Sequence, residues 1–160
     1  MGLATLTPAQ TPAVGATYCA GDVKLVHQGA AADLCVARED YKVANIAAGD
    51  LAADIERVTG LKLRVKETAD GLSPHAVLIG TLGHSATIDA LVRGSDRRGT
   101  AFGAYDLSRE IGVSPWYWWA DIPPQQRDAL LIRTGRYRQR TPFVKYRGIF
   151  INDEGWGIRP

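Results

Sequence analysis

From residue 41 to residue 59, apolar side chains recur every three or four positions, at Val43, Ala47, Leu51, Ile55 and Val58. Asp50, Asp54 and Arg57 fall on the other faces. That spacing predicts an amphipathic helix, with Asp40 as its N-cap and Gly60 as its C-terminal glycine. The next six residues, 61–66, alternate Leu, Lys, Leu, Arg, Val, Lys, which predicts a half-buried strand. Residues 76–80 form a continuous apolar run and predict a strand covered on both faces. Further strands are predicted at 23–27, 34–37, 129–133 and 146–151. Helices are predicted over 85–92 and 100–111, the latter with Ala104, Leu107 and Ile111 along one side. Strands alternating with helices indicate an α/β layer domain. Residues 1–21, rich in Ala, Thr, Pro and Gly, read as an irregular leader.

Composition narrows the classes. The chain has 160 residues, of which 46% are hydrophobic and 22% charged, which excludes disordered and fibrous classes. It is too short for a complete eight-fold barrel enzyme of about 250 residues. Nineteen basic against 17 acidic residues leave a net charge of +2, too mild to argue for a nucleic-acid partner. Cys19 and Cys35 lack zinc-type spacing and allow one bridge or none. His27, His75 and His84 have no metal-ligand pattern, so neither a metal nor another cofactor is expected. With no run of eighteen apolar residues, no membrane span is expected.

Four constellations carry candidate chemistry. Gly94–Gly103 (GSDRRGTAFG) sets glycines and Arg97–Arg98 ahead of a helix, where an anion can be cradled. The plainer reading is a tight turn with close helix packing. The spacing is not that of a nucleotide P-loop. Ser114–Asp121 (SPWYWWAD) places Trp116, Tyr117, Trp118 and Trp119 directly after Pro115, too many rings for one core face. Such rings offer flat apolar faces with a polar handle, which suits sugar C–H groups. Some of them are equally expected to anchor the segment against a neighbouring layer. From Arg127 to Arg147, seven basic residues face the single acid Asp128. They fit an acidic ligand or a solvated strand edge kept from pairing by its charges. Finally, YRGIFINDEGW ends an apolar strand in Asn152, Asp153 and Glu154, where barrel folds place active sites and where carboxylates serve glycosidic acid–base work. A strand-end turn accounts for the same residue types.

GSDRRGTAFGAYDLSREIGVSPWYWWADIPP and FVKYRGIFINDEGWG closely resemble the N-terminal region of family 115 glycoside hydrolases, the xylan α-1,2-glucuronidases. ANIAAGDLAADIERVTG and GTLG are similar to the same family, so the resemblance runs from about Val23 to the end. It departs before Gly94, where the family carries a longer stretch with an apolar strand. The resemblance implies a small layered α/β sheet with helices, of the glycosidase N-terminal accessory type, ending in the first strand of a (β/α)8 barrel. It divides the chain into a flexible leader (1–21), an accessory domain (22–142) and the start of a catalytic barrel (143–160). The implied activity is inverting removal of glucuronic acid or its 4-O-methyl ether from xylan. General acid and base are expected in the remainder of the barrel, so this chain is expected to be inactive alone. Asn152 and Asp153 match family residues beside the glucuronic acid. The implied partners are glucuronoxylan or its oligosaccharides and the barrel itself, in a periplasmic or secreted enzyme whose homodimerisation is open. Two alternatives stand beside this reading. One is a non-catalytic carbohydrate-binding or interaction module using Trp116, Trp118 and Trp119. The other is an anion or nucleotide site at Arg97–Gly103.

Overall fold

A computed structural model of the chain describes residues 13–91, 97–135 and 137. The expected strand at 146–151, and the barrel start to which it was assigned, lie outside these residues. Seven strands and four helices follow one another as β1 (Val14–Gly15), β2 (Val23–His27), β3 (Ala30–Ala31), β4 (Asp33–Val36), α1 (Lys42–Thr59), β5 (Arg64–Lys66), β6 (Ala76–Ile79), α2 (Ala86–Leu91), α3 (Arg97–Glu110), α4 (Tyr117–Ala120) and β7 (Leu130–Ile132) among the described residues. The α/β class is as expected.

The strands form two small sheets. One is antiparallel, in the order β1-β7-β2-β3. Its β1 comes from the segment expected to be an irregular leader: Val14 pairs with Ile132 and Gly15 with Leu131. Only the far end of the domain supplies that partner, so no local pattern announces it. The other sheet is parallel, in the order β5-β4-β6, with Leu34 opposite both Val65 and Val77. Its central strand β4 is buried at all four positions. β6 is a correction: only Ile79 is fully buried, because this strand flanks β4 rather than lying between neighbours. β5 is also shorter than the alternation predicted. Leu63 is buried just ahead of it, whereas Val65 is exposed.

Asp33 joins the three parallel strands at one end. Its carboxylate is wholly buried and accepts hydrogen bonds from Arg64 Nε at 2.9 Å and the Ser73 backbone N–H at 2.7 Å. Lys66 Nζ lies 3.5 Å away. Ser73 Oγ in turn accepts the Asp33 backbone N–H at 2.9 Å. Burial by itself disfavours the charged form. The Ser73 N–H and the Arg64 and Lys66 charges outweigh it and hold this carboxyl below its ordinary value.

Helix α1 buries Ala44, Ala47, Ala48, Leu51, Ala52, Ile55 and Val58 in one core with Leu25, Val26, Leu34, Val36 and Leu130. Ala101 and Ala104 of α3 join the same core, and these short side chains let α1 and α3 approach closely. Gly60 ends α1 in the left-handed conformation at φ 73°, its N–H donating to Glu56 O at 2.8 Å. That is the expected cap. The start of α1 differs from expectation. Tyr41 holds the N-cap position without a side-chain bond, because the Asp40 carboxylate is engaged elsewhere. Its Oδ2 accepts the Thr81 N–H, and Oδ1 the Tyr41 N–H, both at 2.6 Å. Two further positions depart from the predicted pattern. Val43 is exposed, and Asp54 is buried because it pairs with Arg57 at 2.5 Å.

Candidate functional site

The aromatic segment folds into the single helical turn of α4. Pro115 and the Ser114 hydroxyl start it, the latter accepting the Trp116 N–H at 3.1 Å. The Trp119 and Ala120 N–H groups both bond to Trp116 O, and Asp121 closes the turn in the left-handed region at φ 47°. One turn cannot direct four successive rings into one core. Tyr117 turns inward and packs against the core. Trp116, Trp118 and Trp119 remain 58%, 75% and 59% exposed. Fewer rings anchor the segment than the even division expected: one is turned inward and three are presented.

Helix α1 supplies the support for these rings. The Arg57 guanidinium lies over the Tyr117 ring at 5.0 Å and over the Trp118 ring at 5.2 Å. Tyr117 and Trp118 meet edge to face at 5.2 Å. Arg57 is itself oriented by Asp54. Gln126 Nε2 donates to Arg57 O at 2.7 Å, and the Arg127 N–H donates to Val58 O at 2.8 Å. The chain on the far side of α4 is thus tied to the last turns of α1. A cation over an indole face is attracted by the ring quadrupole. Trp118 is consequently held from one side and open on the other. Nothing in the sequence singles out Arg57 for this role, since nearly sixty residues separate it from the aromatic segment.

The glycine–arginine stretch is corrected. Arg97, Arg98, Gly99 and Gly103 all lie within α3, which begins three residues earlier than predicted. Gly99 and Gly103 therefore belong to a helix rather than to a cradling turn, and a Cβ at Gly103 would meet no atom within 4 Å. Close packing does not require that glycine either. In the basic tract, Arg133 is committed internally: its Nη1 lies 2.6 Å from Oδ2 of the buried Asp22. Asn152 and Asp153 lie outside the described residues. Cys19, exposed, and Cys35, buried, are both free thiols. Burial pushes the Cys35 thiol upward, opposed by the Lys66 charge.

The loops leaving β4 and β6 meet at the carboxyl ends of the parallel strands, the position where open α/β sheets commonly bind ligands. Here the two loops are bonded to one another. Tyr41 Oη and His84 Nε2 are 2.6 Å apart with ring centroids at 4.1 Å, beside the Asp40–Thr81 contact. On the outer face of α1 and α3, Tyr105 Oη donates to Asp50 Oδ2 at 2.7 Å. Burial and the Asp50 and Asp54 carboxylates raise the Tyr105 phenol to about 12. Among the described residues, no group of three His, Cys, Asp or Glu side chains is placed to hold a metal ion, and no helix is long and apolar enough to cross a membrane.

No family model matches the sequence, and no curated protein matches it. Among solved structures, the chain is similar to BtGH115A, a family GH115 4-O-methyl-α-glucuronidase with specificity for decorated arabinogalactans. The TM-score is 0.64 at 27% sequence identity, over 79% of this chain and 19% of that one. The described residues thus share a mixed α/β fold with part of a GH115 enzyme, and the chain spans well under two thirds of that protein's length.

Proposed function

We propose that this chain is the accessory α/β portion of a glycoside hydrolase that removes 4-O-methyl-glucuronic acid, or glucuronic acid, from polysaccharide side chains. The observation that carries this reading is the likeness to BtGH115A at a sequence identity of 27%. The motif blocks GSDRRGT and SPWYWWAD point the same way. Xylan, which the motifs imply, and the arabinogalactans of the solved neighbour differ in backbone but share the uronic acid decoration.

In this reading residues 22–142 form the accessory domain and 143–160 open the catalytic barrel, with Asn152 and Asp153 beside the glucuronic acid. Inverting hydrolysis needs an acid and a base about 6.5–9.5 Å apart, with room for a water between them. Both are assigned to the remainder of the barrel. The parent enzyme is read as exported, to the periplasm or beyond.

Two measurements test the reading. Incubation of the 160-residue chain with glucuronoxylan and with uronate-decorated arabinogalactan is expected to release no free uronic acid, and turnover by the chain alone overturns the accessory role. The coding sequence after Pro160 is expected to continue in frame into further barrel strands and helices. A stop codon there would remove the parent enzyme from the proposal.

A further inference from the structure

Exposed apolar surface is concentrated on one side of the helical layer. Of the ten large hydrophobic side chains exposed among the described residues, eight belong to α1, α3 or the segment 116–122, and the other two are Tyr18 and Val65. On α1, Val43 and Ile46 stand on the same stripe as Asp50, Asp54 and Arg57, because these positions are three or four apart. Asp50 accepts the Tyr105 hydroxyl of α3, and Arg57 lies over Trp118 of α4. Asp40, just ahead of α1, accepts the Thr81 N–H, and Thr100, in the first turn of α3, donates to Gly80 O. The two helices therefore start together and run side by side in one direction, which sets Phe102 level with Ile46. The apolar face continues from there past Tyr105 to Trp118, along the ~21 Å that separate Val43 from Arg57 on α1.

A continuous apolar face on a folded domain marks an interaction site. Its composition is that of a protein contact. Val43, Ile46 and Ile122 mix aliphatic surface with Phe102 and the indoles, and Pro115 and Pro123 are exposed beside them. The charges on the stripe are answered within the domain, Arg57 by Asp54 and Asp50 by the Tyr105 hydroxyl. Covering them leaves no unpaired ion.

We propose that this α1–α3–α4 face seats the remainder of the parent polypeptide, an intramolecular interface that rests on the accessory reading above and adds the surface through which the domain is held. Length favours that occupant. The likeness to BtGH115A covers 19% of that chain, so most of a polypeptide of that size lies outside the matched domain. A domain joined to so much further chain packs against it through its most apolar surface, because burying that surface is the dominant favourable term. The three exposed indoles are then the anchors of the contact.

The test is hydroxyl-radical footprinting read by mass spectrometry, run on the 160-residue chain and on the parent polypeptide encoded by the continuing reading frame. Phe102, Trp118 and Trp119 are expected to be modified about fivefold more slowly in the parent than in the chain alone. Tyr18, exposed but outside the face, is the internal reference. Ile46→Lys combined with Trp118→Glu sets each new charge beside an existing partner, Asp50 and Arg57, so the 160-residue chain should keep its melting temperature. In the parent the same pair forces two charges into the interface and should restore most of the modification of Trp116 and Trp119. Equal rates in chain and parent overturn the proposal, as does protection that survives both substitutions. So does protection that appears in the isolated chain as its concentration rises, which assigns the face to a second copy, or on adding xylohexaose, which assigns it to a sugar. Uronic acid release by the same parent preparation judges the accessory reading separately. An active parent with an exposed face keeps that reading and rejects the interface, and a protected face in an inactive parent does the reverse. A reading frame that stops at Pro160 rejects both.

Discussion

Asp40 and Thr81 are joined by a 2.6 Å hydrogen bond from the Thr81 backbone N–H to a carboxylate that is only 6% exposed. The bond locks the loop after β4 to the loop after β6, although forty-one residues separate the two. An unsatisfied buried donor is costly, so Asp40→Ala is expected to destabilise the domain by about 1–3 kcal/mol. Asp40→Asn, whose amide oxygen can still accept one N–H, should lose less. Urea denaturation followed by circular dichroism measures both.

Asp33 makes stability depend on acid pH. Its pKa is depressed in the folded chain, so ionisation in the native state favours folding above the unfolded pKa of about 4. That stability is lost as pH falls from there through the folded value. Asp33→Asn is expected to cost about 1–3 kcal/mol at neutral pH, through weakened bonds to Arg64 and Ser73. It should also flatten the acid limb of a stability–pH curve. An unchanged acid limb in the variant would remove Asp33 as its source.

Tyr105 has the opposite sign at the alkaline end. Its phenol is raised to about 12, so the stabilising contribution is complete below the unfolded value near 10 and disappears as pH rises through about 12. Ultraviolet titration of tyrosinate should show a late-titrating group that Tyr105→Phe abolishes. Asp50→Asn should bring the same group down toward 10, since it removes the adjacent negative charge.

Two glycines should respond in opposite directions. At Gly80 a Cβ would collide with Ile88 and with Ser85, so Gly80→Ala forces β6 and α2 apart. The expected loss is about 1–3 kcal/mol. At Gly103, inside α3 with open space around it, Gly103→Ala is expected to add about 0.5–1 kcal/mol. Thermal melts of the two variants, run together, give a direct comparison.

The sequence by itself determined the local elements. The three-to-four spacing from Val43 to Val58 and the glycine at position 60 specify α1 because helix periodicity and the left-handed cap are properties of neighbouring residues. Tertiary structure decided what each polar residue does. Asp40 forgoes the N-cap because Thr81 lies beside it, Asp54 is buried because Arg57 pairs with it, and the leader contributes β1 because β7 lies alongside. It also decided that three tryptophans stay exposed while Tyr117 turns inward, and that Arg57 lies against Trp118. Each of these depends on a partner brought close by packing, and a hydrogen bond or ring contact between residues far apart in the chain leaves no period to read.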